Sequence, residues 1–568
     1  MRERAAIPTR EDLYRHQVGR VGRVNEHAIK GSAFMNMSGS KHLERERERE
    51  IEGSAQPGVM SPTWALLRLA LPLAIQALFT RTLMVQDLIL IGHFLGRDAV
   101  AATALGSTLY QMFYYFLAGM ATAVDTMCSQ SHGAGSHVDT VRWAQRGMLM
   151  LLVSCIPVIL VLGFGANFLF VTVMRQDADV SEMAAYYVRI LLPGLPAQLA
   201  FDVLVKFLQS QTIMMPFLYV SLAINFVNIG LDVLLLSTLG FEGAPIATTL
   251  CRYLSLALLM IYIGCARLHE RNGEFPGWTW THIADRASLA RLWAMGLAGG
   301  VMLTAEAFSF EITTVFAGQL GSKVILDAHF IALSYIGAVY SVLPSSVSVA
   351  SSICCGNLVG EQSHVQARRT AIHGILLGGA SMLLSAGVIF FDRRIVGRIY
   401  SSDNEIIRVV SSLALITSVF QVFDGFQSGA VGAMRGLGKQ NVAALITGVG
   451  FSAIGISSGY VFCFVAEYGL FGLWMGLCVG IMSTALISVV VLLCFTEFEK
   501  ITAVDSTQEG NAMHNGHTKE HASYALLRPE MSNGGVYSFA CDNDYEGDGD
   551  GDGEADVDGS DADKLLVY

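Results

Sequence analysis

Cys128-Ser129-Gln130-Ser131-His132-Gly133-Ala134-Gly135-Ser136-His137-Val138 recurs without a gap as Cys355-Gly356-Asn357-Leu358-Val359-Gly360-Glu361-Gln362-Ser363-His364-Val365. The leading cysteine, the sixth-position glycine and the Ser-His-Val tripeptide are identical. The register then continues at Arg142/Arg369, Ala144/Ala371 and Gly147/Gly374. Upstream, the Leu95-Gly96 turn matches Leu320-Gly321. Each copy falls where the second of six apolar runs ends and the third begins. Equivalent placement together with identity argues for a duplicated chain.

The runs themselves set the fold class. The chain is 52% hydrophobic with a mean hydropathy of +0.48, and only 15% of it is charged, against about a quarter in soluble domains. Stretches of roughly twenty apolar residues suffice to cross a hydrocarbon slab of about 30 Å, and continuous rather than alternating runs mean helices. Six spans are expected at 63–91, 98–122, 147–172, 184–209, 214–237 and 243–266. Six more are expected at 290–317, 325–352, 371–391, 407–431, 442–466 and 470–494. This is an all-α membrane protein of about twelve transmembrane helices in two six-helix bundles. Its expected parts are a mixed-charge disordered tail (1–61), an N-lobe (62–268), an inter-lobe loop (269–286), a C-lobe (287–497) and an acidic disordered tail (498–568). Six is even, so both bundles enter the membrane in the same sense, and the axis relating them runs along the membrane normal.

Arg142, Arg146, Arg267, Arg271, Arg368, Arg369, Arg435 and Lys439 fall in loops on one side, and Arg393, Arg394 and Arg398 depart from the pattern. The positive-inside rule places both termini in the cytosol. The expected location is the plasma membrane or a vacuolar or other internal membrane. No cleavable signal is apparent in Met1–Met60, so the first helix is expected to direct insertion. The net charge of −11 is largely that of the tail Asp542 through Asp563 and says little about the membrane portion. Nine of the ten cysteines, all but Cys541, lie within apolar runs without metal-ligand spacing. They read as small core residues.

Charged groups at bilayer depth cost roughly 2.5–3.5 kcal/mol each on insertion scales and need a reason. Asp87 falls in helix 1, and Asn228 and Asp232 lie one turn apart on helix 5. Glu306 and Glu311 fall in helix 7 and Asp424 in helix 10. Such acids can take up a proton or a sodium ion and exchange it for a cationic solute. The plainer alternative is an acid hydrogen-bonded between helices, or one near a helix end that reaches water; Asp87, Glu311 and Asp424 stand nearest to that case. Asp125, beside the repeated motif, reads as structural. Pro344 with Ser345, Ser346 and Ser348 marks a kink facing a cavity. No Walker loop, zinc-binding histidine pair or Gly-x-Ser-x-Gly turn is present, so an enzyme is not expected. Asp548 through Gly553 imitates a calcium loop but has Gly559 at its twelfth position, and a solvated acidic tail is the reading.

Taken in order, Gly92-His93-Phe94-Leu95-Gly96, Asp125 through Gly135, Glu306-Ala307-Phe308-Ser309-Phe310-Glu311, Pro344 through Gly360 and Gly432 through Gln440 resemble the multidrug and toxic compound extrusion (MATE) transporters of eukaryotic type, over about residues 62–497. The resemblance implies two V-shaped bundles that export organic cations or amphipathic compounds against inward proton or sodium flow. It implies that Glu306 and Glu311 are the paired helix 7 acids, that Asp424 is the helix 10 acid and that Gln76 is a polar position of helix 1. Asp87, Asn228 and Asp232 look like the N-lobe cation site of prokaryotic members. Cys354 stands where the family usually has an arginine. The expectation is therefore a secondary antiporter for small organic cations or amphipathic solutes, monomeric, with no nucleic-acid partner and no cofactor beyond the coupling H+ or Na+. A lipid or oligosaccharide flippase of the same superfamily, and a non-transporting membrane scaffold, are the alternatives.

Overall fold

Apolar runs that long leave backbone groups only one way to be satisfied in lipid, and the computed structural model is helical throughout its membrane portion. The structure describes residues 61–268 and 283–501. The expected tails, apart from Ser61 and residues 498–501, and most of the expected inter-lobe loop, with the calcium-loop imitation and Cys541, lie outside the described residues.

Ten runs are long and apolar enough to cross a bilayer. One of them, Met215–Cys265, is two helices folded at Gly240–Glu242. Arg97–Gly133 adds a further crossing of 37 residues, whose buried polar side chains lower its hydropathy. The set is twelve among the described residues. In the first half these are α1 (Pro62–Leu95), α2 (Arg97–Gly133), α3 (His137–Val173), α4 (Ala178–Ser210), α5 (Met215–Leu239) and α6 (Gly243–Cys265). In the second half they are α7 (Arg286–Gln319), α8 (Lys323–Gly360), α9 (His364–Phe391), α10 (Asn404–Gly436), α11 (Gln440–Val465) and α12 (Gly469–Cys494). Local chemistry sets the starts. Ser61 caps α1 ahead of Pro62, Asp285 accepts from the Ser288 amide at 2.9 Å to open α7, and Asp403 accepts from the Glu405 amide at 2.8 Å to open α10. Pro344 removes an amide in mid-α8 and divides it into Lys323–Val342 and Pro344–Gly360.

The repeated motif lies where the second helix of each half gives way to the third, as expected, but the helices run further into it than hydropathy indicates. Cys128 through Gly133 and Cys355 through Gly360 belong to the last turns of α2 and α8, and the connecting loops are only a few residues long. These turns are polar, so hydropathy ends the helices early; packing between the lobes keeps them helical. Duplication is visible in the backbone as well. Cys128 Sγ donates to the Thr140 carbonyl and Cys355 Sγ to the Ala367 carbonyl, each twelve residues on. Left-handed backbone recurs at Gly96 and Gly321, at Gly135 (φ 77°) and Gln362 (φ 59°), and at Gly240 (φ 64°) and Glu467 (φ 59°). In the last two pairs the glycine of the first half is matched by a residue with a side chain in the second, and the turn is the same.

The face where α1 begins and α12 ends is called here the near face, and the opposite one the far face. The lobes are locked at the near face. A Cβ on Gly133 would strike the Asn357 backbone, and one on Gly360 the backbone of Gln130 and Ala134. The two copies of the motif therefore pack directly on each other. Thr126 Oγ1 donates to the Arg435 carbonyl and Gln130 Nε2 to that of Gly436, both at 2.9 Å. Gln440 Nε2 reaches Thr122 and Thr126 Oγ1, both at 3.2 Å, and Asn357 Nδ2 donates to the Ser210 carbonyl at 3.2 Å. Deeper, Gly119 of α2 lies so close to Gly299 of α7 that neither position has room for a Cβ. The nine described cysteines are all free, and six of them are buried.

Candidate functional site

Asn228 and Asp232 point from one side of α5 toward α1, where Asp87 completes a group of three. The single amide nitrogen of Asn228 serves both acids: Nδ2 donates to Asp87 Oδ1 at 2.8 Å and to Asp232 Oδ2 at 2.6 Å. Thr248 on α6 donates to Asp87 Oδ2 at 3.2 Å. All four side chains are buried, Asn228 and Asp232 fully. Oδ1 of Asn228 and Oδ1 of Asp232 are buried without a partner among the described residues. Two carboxylates this close cannot both stay charged unless a positive charge sits among them. An all-oxygen set with unfilled lone pairs suits a shared proton or a small hard cation. Asp87 lies eight residues inside the end of α1, not at its tip.

The C-lobe holds a second group. Asp424 is buried near the middle of α10, well away from either end of that helix. It interacts electrostatically with the half-buried Glu306 of α7, and both act on Tyr340 of α8. Arg435, which donates to Ser348 Oγ at 2.7 Å, is the cation facing Glu306. Glu311 is exposed and, among the described residues, faces no charged partner. The paired helix 7 acids thus do not meet: five residues place Glu311 around the helix from Glu306. Gln76 is half-buried on α1, and its carbonyl accepts from Thr80.

A third polar set escaped the reading of the sequence. Below the Asp87 group, Arg252 of α6 donates to Tyr110 Oη at 2.7 Å, and Tyr110 donates to Gln198 at 3.1 Å. Tyr114 then donates to Asp202 at 2.8 Å, and Lys206 pairs with Asp125 at 3.6 Å. Arg252 acts on both Asp87 and Asp202, and Lys206 on Asp202. Acid and base alternate down the N-lobe interior from the Asp87 group to the near-face lock. Asp202 and Lys206, one turn apart inside an apolar run, carried the same signal that singled out Asp232. Asp125, read from the sequence as structural, is the acid that faces Lys206 there.

The lobes also meet across bilayer depth at a residue that a search restricted to acids passes over. Arg81 of α1 donates from Nη2 to the Gly337 carbonyl at 2.7 Å and from Nε to Ser341 Oγ at 3.0 Å. Both acceptors are on α8, just before the Pro344 break.

Comparison with known proteins places this geometry. The sequence model of the MatE family matches residues 72–234 and 300–461, one match in each half of the chain. Multidrug and toxin extrusion protein 2 of Mus musculus is 31% identical over 437 residues, 76% of this chain and 74% of that protein. Multidrug and toxin extrusion protein 1 of Xenopus tropicalis is 32% identical over 416 residues, 72% of this chain and 71% of that protein. Among solved structures, the eukaryotic MATE transporter AtDTX14 superposes with a TM-score of 0.71 at 24% identity, covering 77% of this chain and 97% of its own. An outward-facing multidrug resistance MATE family transporter gives 0.69 at 18% identity, covering 76% and 95%.

Proposed function

The chain belongs to the MatE family of multi-pass membrane transporters, and from that premise we propose that it is a secondary antiporter exporting organic cations or amphipathic drug-like compounds in exchange for protons. The relatives' names, multidrug and toxin extrusion, supply the cargo class. The observation that carries the reading is a pair of acid groups, one in each lobe: Asp87, Asn228 and Asp232 in the first, Glu306 and Asp424 in the second. Each stands at membrane depth, where an uncompensated charge is expensive. Neutralisation by a proton and neutralisation by a cationic solute are alternatives at one carboxylate, and alternatives that exclude each other give exchange.

In this reading the near face is cytosolic and the near-face lock holds the space between the lobes open only toward the far side. Loading by protons from that side weakens the hold of the acids on the cargo, and rocking of the lobes about the lock reverses access. One chain contains both lobes, so a monomer suffices. Sodium coupling is the second reading, favoured by the oxygen-only surroundings of Asn228. The test is efflux of a fluorescent organic cation from vesicles holding the purified protein, with proton and sodium gradients imposed in turn. Transport driven by the proton gradient alone supports the first reading, and transport driven by sodium alone supports the second. Transport indifferent to both gradients overturns antiport.

A further inference from the structure

Among the described residues, the other buried or half-buried cations turned into the lobes each face an acid. Lys206 pairs with Asp125, Arg252 acts on Asp87 and Asp202, and Arg435 acts on Glu306. Arg189 also lacks one, but it is exposed on the outside of its lobe and bonded to the Gly163 carbonyl. Arg81 is half-buried between the lobes and, among the described residues, no acid lies within ion-pairing distance of it. Its charge acts on the neutral phenol of Tyr400.

Depth makes this costly. Helix α1 has 34 residues, about 51 Å at 1.5 Å per residue, and about 21 Å of it lies beyond Arg81 toward the far face. The same rise leaves about 21 Å of α8 beyond Gly337. With a hydrocarbon core of about 30 Å, the guanidinium stands close to the midplane. The seat is shaped for it: a Cβ on Gly337 would come within 3.3 Å of Nη2. Nε and Nη2 are engaged by a hydroxyl and a carbonyl, both neutral, while Nη1 has no hydrogen-bond partner among the described residues. A guanidinium fork with one arm held and the other free is the geometry that receives a carboxylate or similar oxyanion.

We infer that Arg81 is an anion-recognising residue of the transport path: it receives the carboxylate of a zwitterionic cargo whose cationic end is held by the acid groups. The inference rests on the exporter reading above and narrows its substrate class. The protein supplies no counter-charge at mid-membrane, and the cargo does. α8 links the two ends of such a cargo, since Ser341 meets Arg81 and Tyr340 faces Glu306 and Asp424.

The experiment uses the full chain in vesicles and two fluorescent xanthene dyes of one scaffold, a zwitterion with a free carboxylate and its methyl ester, which is a monocation. For Arg81→Gln, the ratio of the KM for the carboxylate dye to that for the ester should rise about tenfold relative to wild type, the scale of one lost charge-assisted contact. Arg81→Lys, which keeps the charge and loses the fork, should show a smaller rise in the same direction. This second variant keeps the test open if the glutamine variant is not recovered folded. An unchanged ratio in both variants, with the two dyes affected equally, would mean that Arg81 only ties α1 to α8, and would overturn the inference. A wild-type protein that moves the ester but ignores the carboxylate dye overturns it too, leaving cation export intact. One that moves neither dye refutes the exporter reading itself.

Discussion

Replacing Gln130 and Gln440 together by leucine should loosen the near-face lock by a calculable amount. Both side chains are buried, and three of their hydrogen bonds join the lobes: Gln130 to the Gly436 carbonyl, and Gln440 to Thr122 and to Thr126. At about 1 kcal/mol of net stabilisation each, their loss costs about 3 kcal/mol. Gln440 Oε1, however, is buried without a partner among the described residues, and removing it returns about 1 kcal/mol. The net of about 2 kcal/mol changes the ratio of locked to unlocked molecules about thirtyfold. Leucine nearly conserves the volume, so packing is disturbed little. The reporter is native: Cys354 of α8 packs against the cluster in which Val347, Ala350 and Ile353 meet the N-lobe core. Its alkylation by a small maleimide, resolved by peptide mass spectrometry, should accelerate about thirtyfold in the double variant if opening precedes reaction. Cys463, buried inside the C-lobe, should keep its wild-type rate. A Cys354 rate within twofold of wild type would show that these hydrogen bonds do not set the opening equilibrium, and acceleration at both cysteines would indicate general loosening.

Four shorter predictions follow from the same geometry. Asp232→Asn and Glu306→Gln should each abolish gradient-driven efflux while yielding folded protein, and wild-type rates in either variant would remove that lobe from ion coupling. Tyr114→Phe deprives Asp202 of its hydroxyl donor and should lower stability by about 2 kcal/mol, read from reversible unfolding in mixed micelles; an unchanged midpoint refutes a role for that bond. Glu361, in the loop after α8, is pushed up to about 7 by burial. The folded protein therefore holds a proton there that the unfolded chain releases above its ordinary range near 4.5, and the folded form should lose stability as pH rises between those values. Glu361→Gln should flatten that slope, and an identical slope in the variant would refute the assignment. Glu467→Gly should stabilise the α11–α12 turn by about 1 kcal/mol, because its left-handed backbone disfavours any residue with a Cβ; a neutral or lower unfolding midpoint counts against this.

Much of the candidate site could be read before any coordinates. Asn228 and Asp232 had to share a face because they are one turn apart, and a carboxylate within an apolar run declares itself by its cost. The chain also shows which acids are few and deep, but not which ones meet. Asp87 is 141 residues from the amide that serves it. Glu306 and Glu311, close in sequence, separate, whereas Glu306 faces Asp424 more than a hundred residues away. The basic residues Arg81, Lys206 and Arg252 were just as visible in the apolar runs. They carried the same signal and were missed by a search confined to acids.

Local chemistry alone determined the helical class, the count of about twelve spans and the duplication, since each depends on lipid accepting nothing but helices and on two stretches sharing one register. The ends of α2 and α8, the lock that joins the two copies of the motif, and the bare guanidinium between α1 and α8 were decided by packing. They arise where surfaces far apart in the chain come within hydrogen-bonding distance, and no periodicity or hydropathy along a single helix encodes which partner will arrive.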